Sequence, residues 1–481
     1  MNTTQTTAAG VAPAIAADFL FDIVGIEHTD DPDVLRAKSR DSTLAFNPIM
    51  REELKDKRAE LVVTPRNREE VIRVARACVK HRVPVVVRGA GTANFGQGVP
   101  LKGGVVLDTT ALDQVLWVKD RTLRTQPGAR MDMLDRRLRQ DHQLELRMHP
   151  STRKSTIGGY VAGGHIGVGS SQWGILRDRG NVIACEVVSM EAEPRIVELR
   201  GSQVHHVHHA YGTNGIITEV EMPLAPAYAW MEAIVEFDTF MAAAGFAVEL
   251  CNSHSIVTKM AGVNGSPYPA LFAPIAHLVR EGAHTVHAMV ASEFAEAFQT
   301  LVDDFGARTA YTGLEGCGPQ GIPIYEYSFG HTRMHAIKLD PKLIGNLMIY
   351  PPDDLLGALE RVYKAFPGQP FHVDMKRIDG RLTCQGSPLA PFVDAAELAQ
   401  RIERMQAMGL QSANIHTFHL RENGMKPIDE AELAFRRAMD PYTLMNPGKF
   451  SADEVKDKGA GVSLPTSGWK YRQADRRPVE G

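Results

Sequence analysis

Short β-branched runs flank a segment of helical periodicity near the start of the chain. Residues 61–63 form one apolar run, closed by Thr64 and Pro65, and residues 83–87 form a second. Between them, apolar residues from 69 to 81 recur at three- and four-residue spacing, which predicts a helix with one buried face. This order predicts strands connected by a crossover helix.

The pattern of strands and helices continues to about residue 226 and then changes character. Further strands are predicted at 105–107, 116–118, 182–190 and 216–222, and a helix at 131–142. Beyond a proline-rich hinge at Pro223 and Pro226 the glycine-rich character ends, and helices are expected at 231–250, 283–305 and 352–366, alternating with strands. We therefore expect an α+β protein of two domains, with a polar tail at 451–481 that covers the surface or is partly mobile.

Composition and charge exclude several classes of function. The chain has 481 residues, 44% hydrophobic and 23% charged, with a net charge of −4, so nucleic acid is not expected as a partner. Five cysteines lie far apart without a CxxC pair, which favours reduced thiols and a cytoplasmic protein over disulfides or a metal site. No basic leader precedes the N-terminal alanines and no long uncharged apolar run occurs, so we expect neither a signal peptide nor a membrane span.

Residues 88–98, RGAGTANFGQG, follow directly on the second valine-rich strand. Such a loop can present several backbone N–H groups in one concave surface, which suits an anion such as pyrophosphate. The hydroxyl of Thr92 and the amide of Asn94 can add hydrogen bonds. A flexible turn is the alternative interpretation, because glycine-rich turns are common.

A second glycine-rich segment lies at residues 155–169, with six glycines within twelve residues. No ordinary helix or strand requires that density of glycine, whereas a long cofactor lying against the backbone does. Neither segment matches the GxGxxG motif of Rossmann folds or the phosphate-binding P-loop. A dinucleotide bound here would be held by a different fold.

Four motifs in order, VVVRGAGT, STIGGYVAGGHIGVGSSQWG, YGTNGIITEVEMPL and DPYTLMNPGKF, resemble the vanillyl-alcohol oxidase type of FAD-binding flavoprotein, and most of all its glycolate oxidase and D-lactate dehydrogenase branch. The resemblance implies an FAD-binding domain of two α/β subdomains at 22–226 and a second, α+β substrate or cap domain at 227–438. It also implies that a C-terminal segment, 439–481, returns to the FAD domain.

The resemblance implies which residues contact FAD. The two glycine-rich loops would hold the pyrophosphate and ribityl chain, residues 215–217 would lie beside the adenine and ribose, and residues 446–449 near the flavin ring. The expected contacts are Arg88, Gly89, Ala90, Gly91, Thr92, Asn94, Pro150, Ser151, Ser155, Thr156, Gly158, Gly159, Gly163, Gly164, Gly167, Val168, Gly215, Ile216, Ile217, Asn446 and Lys449.

The sequence departs from the family pattern at two points. Thr92 occupies the position at which many relatives carry a histidine bonded to the flavin, so we expect non-covalent FAD, with His165 as the less favoured alternative linkage site. The GDGNxH segment of D-2-hydroxy-acid dehydrogenases is missing from the sequence. Lactate or 2-hydroxyglutarate is therefore not implied as the substrate.

Residues 325–335 are the main candidate for a substrate-binding wall. As a strand, this segment would place Tyr327, His331, Arg333 and His335 on one face with two further aromatic residues. The alternative interpretation is a half-solvated strand whose polar side chains face water. As a helix, the segment would set His331 and His335 four residues apart, at metal-ligand spacing but without a third ligand in view.

Three histidines are candidates for the base that takes the substrate proton, namely His331, His335 and His416, the last with His419 as a neighbour. Arg333 is the candidate to orient a carboxylate, and Lys376 and Arg377 are weaker candidates. The tract at residues 205–209, HHVHH, is interpreted as a solvated turn or as a stretch with incidental metal affinity, rather than as a metal site.

These observations predict an FAD-dependent oxidase or dehydrogenase that oxidises the CH–OH group of an alcohol or hydroxy acid by hydride transfer to flavin N5. The electron acceptor stays open among oxygen, a quinone and another protein, and a homodimer is the candidate assembly. The alternatives are a flavin reductase that uses NAD(P)H and a non-catalytic FAD-binding subunit of a redox complex.

Overall fold

The computed structural model describes residues 15–43, 47–318 and 321–450. The first of its sheets is small, mostly parallel and covered by helices. Its order is β1-β2-β4-β3, and β2, β4 and β3 run parallel. The strands are β1 (Glu27–Thr29), β2 (Leu61–Thr64), β3 (Val85–Arg88) and β4 (Val105–Asp108), and the helices α1 (Ala17–Asp22), α2 (Pro32–Lys38), α3 (Pro48–Leu54) and α4 (Arg68–His81).

Helix α4 shows why the predicted strand–helix–strand unit forms. Its N-cap is Asn67, whose side chain accepts the backbone N–H of Glu70, and its apolar face is buried against the strands through Val71, Val74 and Cys78. The helix connects two parallel strands, as a crossover must. The sequence prediction for this unit is confirmed.

The second sheet is antiparallel, with the order β5-β6-β10-β8-β9 and β7 paired to one end of β10. Its strands are β5 (Val115–Lys119), β6 (Thr122–Thr125), β7 (Leu144–Leu146), β8 (Ala184–Val188), β9 (Ile196–Arg200) and β10 (Ile216–Pro226). Helices α5 (Met131–His142), α6 (Ile157–Gly163) and α7 (Ser170–Trp173) accompany it.

The third sheet has eight antiparallel strands in the order β14-β11-β13-β12-β17-β18-β16-β20. The strands of this half of the chain are β11 (Trp230–Phe237), β12 (Thr258–Gly265), β13 (His284–Ala291), β14 (Arg308–Leu314), β15 (Leu343–Ile344), β16 (Leu347–Ile349), β17 (Phe371–Ile378), β18 (Arg381–Pro388), β19 (Ala390–Pro391) and β20 (Gln411–Ala413). Strands β15 and β19 form a separate pair.

Helices cover one face of this large sheet. They are α8 (Phe240–Asn252), α9 (Ala295–Asp304), α11 (Leu355–Ala365) and α12 (Ala395–Ala407). Helix α10 (Gly330–Leu339) packs beside β15, and α13 (Leu420–Asn423) and α14 (Glu430–Met439) pack near Tyr211 and Phe450. The core between α8, α9, α11 and the strands is rich in aromatic rings, with Phe240 stacked on Phe371 at 5.0 Å and Phe246 edge-on to Phe298. The opposite face packs partly against Tyr268, Phe272 and Tyr327, and part of it lines the site described below.

The predicted starts of two helices in this half of the chain are wrong. Residues 230–237 and 284–291 are strands, and helices begin only at Phe240 and Ala295. Nearly every residue of both strands is buried, so neither alternates between polar and apolar positions. A strand buried on both faces cannot be distinguished from a buried helix by periodicity. The helix predicted at 352–366 is confirmed as α11.

The strand predicted across residues 325–335 is also wrong. Residues Ile324–Tyr327 form a 3-10 turn and α10 begins at Gly330. The connection is the cause: Phe329 has a φ of 53°, and its N–H donates to both carboxylate oxygens of Asp374, at 3.1 and 3.0 Å. A positive φ interrupts an extended chain, so the shared face inferred from two-residue spacing does not exist.

The segment after α14 packs back on the first sheet. Val85 donates its N–H to Leu444 O at 2.9 Å, and Asn446 donates its N–H to Val85 O at 2.7 Å. Met445 is buried in the core of that sheet. The tail predicted at 451–481 lies outside the described residues, and the domain boundaries stay a prediction. Within the described ranges, no helix has the length and apolarity needed to cross a membrane.

A buried ion-pair network joins the second and third sheets. Lys259 of β12 lies 3.0 Å from Glu145 of β7, and both side chains are only 2% exposed. Glu145 also accepts from Trp230 Nε1 at 2.9 Å and pairs with Arg139. Charges this deep are tolerated because each has several partners.

We expect Lys259→Met to lower the free energy of unfolding by about 3 kcal/mol, because it leaves Glu145 with less positive charge to compensate its burial. Urea unfolding of the wild type, Lys259→Met, Glu145→Gln and the double variant measures the coupling of the pair. The control is Lys364→Met, an exposed lysine paired with Glu360, for which a change of at most about 0.5 kcal/mol is expected. Equal effects at both lysines would contradict this account.

Candidate cofactor and active site

One large cavity of about 490 Å³ extends from the two glycine-rich loops to the third sheet. Residues 87–98, 150–166 and 207–217 contribute to one end. Tyr268, the start of α10, and side chains of β17 and β18 line the other end. Its lining includes Val87 of the first sheet, Ile217 of the second and Asp374 of the third, so one extended ligand could contact all three sheets.

The first loop begins where β3 ends. Gly91 has a φ of 72°, and a side chain there would collide with the Arg88 guanidinium. Arg88 donates to Gly89 O at 3.1 Å and to Arg40 O at 3.2 Å, while its Nε has no partner among the described residues. Burial lowers the pKa of Arg88, and Asp108 and Asp41 oppose that shift. The loop thus presents a cation and exposed backbone to the cavity.

The two glycine-rich loops contact each other directly. Thr92 Oγ1 lies 2.7 Å from Ser155 Oγ, and a Cβ on Gly89 would overlap the Thr156 hydroxyl. Thr156 in turn caps α6 by accepting the N–H of Gly159. Because the loops touch at positions with small or no side chains, their backbones line one continuous surface.

Two residues of the C-terminal segment support the first loop from behind. Asn446 donates to Gln97 O at 2.7 Å and to Tyr211 O at 2.6 Å, and Lys449 donates to Gly96 O at 2.5 Å. Burial lowers the pKa of Lys449 to about 7. Neither residue lines the cavity, so their contact is with the loop rather than with its contents.

The cavity brings together most of the residues predicted to contact FAD. Those that line it are Arg88, Gly89, Ala90, Gly91, Thr92, Asn94, Pro150, Ser151, Ser155, Thr156, Gly158, Gly159, Gly163, Gly164, Gly215 and Ile217. Gly167 and Val168 do not: Gly167 packs on the His149 backbone, and Val168 pairs with His149 and is buried in a core. Ile216 faces the core of the first sheet.

Several buried polar atoms on the cavity wall have no hydrogen-bond partner among the described residues. They are Tyr160 Oη, both ring nitrogens of His165, and both amide atoms of Asn346. Buried polar groups in folded proteins are nearly always hydrogen-bonded. These atoms therefore fit a cavity that holds a polar ligand, as a dinucleotide is.

Residues 59–198 match the model of a family described as an FAD binding domain. The chain contains an FAD-binding domain. This match covers the first loop and the second, so the cofactor expected from the sequence motifs is confirmed. The glycine-rich backbone and the unpartnered polar atoms are consistent with it.

Part of the chain is also similar in sequence to curated proteins. The glycolate oxidase subunit GlcD of Bacillus subtilis is 31% identical over 221 residues, which cover 43% of this chain and 44% of that protein. The D-lactate dehydrogenase of Archaeoglobus fulgidus is 28% identical over 201 residues, 40% of this chain and 44% of that one. The chain thus aligns with less than half of the length of these relatives.

Similarity of fold to a solved structure extends over nearly the whole chain. A solved structure of alkyldihydroxyacetonephosphate synthase superimposes with a TM-score of 0.68 at 17% identity, covering 91% of this chain and 87% of that protein. The α+β architecture expected from the sequence is confirmed.

Only some of the residues predicted as catalytic line the cavity. His331 and Arg333 line the cavity, whereas Tyr327, His335 and His416 do not. Tyr327 is fully buried under the ring of His335, and burial raises the pKa of Tyr327 to about 12. Burial and the nearby charge of Arg333 lower the pKa of His416 to about 4.

His331 connects α10 to the second loop. Its Nε2 lies 3.0 Å from Thr152 Oγ1, and its Nδ1 lies 2.6 Å from Glu326 Oε2. The Nδ1 contact is an ion-pair distance without hydrogen-bond geometry, so Nε2 is the nitrogen held by a hydrogen bond. His335 lies one turn further along α10, and its Nε2 contacts Glu326 O at 3.1 Å. The described residues contain no cluster of three potential metal ligands, so the metal-ligand spacing of the two histidines has no third partner there.

Arg333 is a cation for which the described part of the chain provides no counter-ion. Among the residues that the structure describes, no carboxylate lies within 4 Å of its guanidinium. Burial lowers the pKa of Arg333 to about 10, and the hydroxyl of Tyr268 opposes the shift. An enclosed guanidinium of this kind is suited to a carboxylate ligand.

The interpretation of residues 205–209 as a solvated turn is wrong. His208 and His209 are buried, and His209 lines the cavity. His209 Nδ1 contacts Gly164 O at 2.9 Å, and His206 Nδ1 lies 2.9 Å from Glu432 Oε2. The polar sequence did not indicate this burial, because it arises from tertiary contacts: His206 stacks on Phe435 of α14, and His209 contacts the second loop.

Several cavity residues were missed by the sequence analysis, among them His372 and Asp374 of β17 and Gln385 of β18. A signal was present: in residues 371–378, FHVDMKRI, polar His372, Asp374 and Lys376 alternate with apolar core residues. A two-residue alternation places the three polar side chains on one face of a strand. Lys376 donates to Gln385 Oε1 at 2.6 Å.

We expect the bound FAD to be released intact when the protein is denatured with acid, because Thr92 cannot form the covalent bond that a histidine forms. The measurement is the flavin absorbance of supernatant and pellet after precipitation. Flavin that stays with the precipitated polypeptide would contradict this expectation, and peptide mapping would then test His165.

Lys376 is expected to make stability depend on pH. Burial lowers its pKa from 10.5 to about 7, so between these values the unfolded chain binds a proton that the folded chain does not. Stability therefore rises with pH in this window, by at most about 1.4 kcal/mol per pH unit from this group. Lys376→Met should abolish that part of the rise in urea unfolding at pH 7.5, 8.5 and 9.5. Lys342→Met, at an exposed lysine, should leave it unchanged; an identical slope in Lys376→Met would refute the assignment.

Proposed function

We propose that this protein oxidises the CH–OH group of a small hydroxy acid with FAD bound along the two glycine-rich loops. The observation that carries the proposal is Arg333, an enclosed guanidinium without a carboxylate partner in the described chain, in the same cavity as those loops. The relatives named glycolate oxidase subunit and D-lactate dehydrogenase support the same substrate class. When bound, FAD supplies an acceptor for the hydride that leaves the substrate carbon.

Arg333 is assigned the role of orienting the substrate. A guanidinium binds a carboxylate through two parallel N–H···O bonds, which fixes both the position and the rotation of the bound acid. Arg333 lies in the first turns of α10, whose start is held by the Asp374 carboxylate. The orienting group therefore has a rigid support from the third sheet.

Apolar residues around the same end of the cavity would exclude water from the bound acid. They come from different elements and include Phe329, Leu347, Leu389 and Ile415. Excluding water strengthens the interaction between Arg333 and a carboxylate, because the local dielectric constant falls.

His331 is assigned a positioning role. Through Thr152 and Glu326 it joins the second loop to the segment that carries Arg333. This contact sets the distance between the part of the cavity that holds FAD and the part that holds the acid. It complements the ion pair between Arg153 and Glu315, 3.2 Å apart, which also links the second loop to the third sheet.

Anaerobic reduction of the purified, FAD-loaded protein tests the proposal. Loss of the flavin absorbance near 450 nm would be followed after adding glycolate, D-lactate, L-lactate, D-2-hydroxyglutarate, a primary alcohol without a carboxylate, or NADPH. We expect at least one hydroxy acid to reduce the flavin, and the uncharged alcohol and NADPH to be much slower. Rapid reduction by NADPH with no response to any hydroxy acid would overturn the proposal.

Arg333→Lys is expected to raise the concentration of hydroxy acid needed for half-maximal flavin reduction by about 10- to 100-fold, because a lysine cannot form the bidentate pair. Lys338→Gln, at an exposed residue of the same helix, is the matched control and should change this concentration less than twofold. FAD content should equal that of the wild type in both variants. An unchanged half-saturating concentration in Arg333→Lys would exclude this role.

A further inference from the structure

We propose that His372 accepts the hydroxyl proton of the substrate and that Asp374 stabilises the imidazolium formed. The inference rests on the proposed oxidation of a hydroxy acid and names the proton acceptor of that same site. Both residues lie on β17, one of the central strands of the third sheet, and both line the cavity together with Arg333. They are thus at the end of the cavity that is proposed to receive the acid.

The hydrogen bonds of His372 determine which ring nitrogen carries the proton. His372 Nδ1 lies 2.7 Å from Asn264 Oδ1, and Asn264 Nδ2 donates to Thr285 Oγ1 at 3.3 Å. In this orientation the amide oxygen faces the imidazole, where an oxygen can only accept. In the neutral ring, Nδ1 therefore carries the hydrogen and Nε2 holds a lone pair.

That lone pair is not used by the protein. Nε2 has no hydrogen-bond partner with suitable geometry among the described residues, although Asp374 Oδ2 lies 3.0 Å away. A carboxylate at this distance stabilises a positive charge on the ring once Nε2 is protonated. The arrangement has the two features of a general base, a free acceptor and a group that compensates the charge it gains.

Asp374 is held in place independently of His372. Both of its oxygens accept the N–H of Phe329, at 3.1 and 3.0 Å, and this bond also fixes the start of α10. The same side chain therefore fixes the support of Arg333 and faces the proton acceptor.

The proton and electrons balance in this step. The substrate O–H bond breaks and a new N–H bond forms at His372 Nε2, while the carbon loses its hydrogen with two electrons and becomes a carbonyl. FAD is the two-electron acceptor required by the proposed function. No other co-reactant is needed, and the imidazolium later returns its proton to solvent.

The three histidines considered from the sequence fit this role less well. His331 also has a carboxylate beside a ring nitrogen without hydrogen-bond geometry, but that carboxylate, Glu326, is 37% exposed, whereas Asp374 is 4% exposed and stabilises a charge on the ring more strongly. His335 contacts a backbone carbonyl and does not line the cavity, and His416 is also outside its lining. His372 is the cavity histidine that has a deeply buried carboxylate, Asp374, beside its Nε2.

Kinetics of flavin reduction test the assignment. With the hydroxy acid of the panel that reduces the wild type fastest, His372→Gln should lower the limiting rate by about 100-fold or more, with unchanged FAD content. His284→Gln is the matched control: it alters a buried histidine on β13, whose Nδ1 accepts the N–H of Ser266, and should leave the rate within twofold. An equal rate in His372→Gln and the wild type would overturn the assignment.

The pH dependence distinguishes a proton acceptor from a structural residue. The groups around His372 are Asp374 and Lys376 on its own strand, His287 on β13, Tyr268, and Arg333 on α10. The wild-type rate should rise with pH, because a general base acts only in its unprotonated form, and His372→Gln should lack this rise. An unchanged rise in His372→Gln would overturn the proposal.

Nuclear magnetic resonance of the ¹⁵N-histidine-labelled holoprotein gives a readout that needs no substrate. The signal lost in His372→Gln identifies His372, which should show a protonated Nδ1 and an unprotonated Nε2 at pH 8.5. The opposite tautomer would refute the inference. If no hydroxy acid of the panel reduces the wild type, the proposed function fails and this proton transfer fails with it; reduction with a normal rate in His372→Gln overturns the present assignment alone.

Discussion

The close approach of two glycine-rich backbones is the constraint on which the site depends. Thr92 and Ser155 are in hydrogen-bond contact, and Gly89 lies so close to Thr156 that no side chain fits between them. Loops of ordinary composition could not meet in this way, because each Cβ would hold the backbones apart. The free energy lost in ordering so many glycines must be recovered elsewhere, and the supports from Asn446 and Lys449 and the bound cofactor itself are the available sources.

The second requirement is that the cavity spans separate sheets. The glycine-rich loops belong to the first half of the chain, whereas Arg333, His372 and Asp374 belong to the third sheet or its helices. Their relative position depends on contacts at the border, of which the buried Lys259–Glu145 pair is the least exposed. Such pairs require accurate geometry to compensate for desolvation, so they favour one mutual arrangement over nearby ones. A site assembled across this border therefore has a defined separation between cofactor and substrate regions.

The sequence was sufficient to predict the elements whose structure is decided by local interactions. The helix over 68–81 has a cap, an apolar stripe and flanking strands, and both glycine-rich loops have a composition that few other structures need. It was insufficient where burial on both sides removes periodicity, as in Trp230–Phe237, and where one distant contact changes the backbone, as Asp374 does at Phe329. The same limit explains the missed pair in the cavity: His372 and Asp374 were visible as polar positions of an alternating strand, but only the fold shows which face the cavity adjoins.

The central claim is that the two loops bind FAD, and the most direct measurement is calorimetric titration of cofactor-stripped protein with FAD. The account predicts saturation at one FAD per chain and markedly weaker binding of FMN, which lacks the adenosine that residues near Gly215 and Ile217 are expected to contact. A stripped, folded protein that takes up no FAD, or binds FMN equally well, would contradict it.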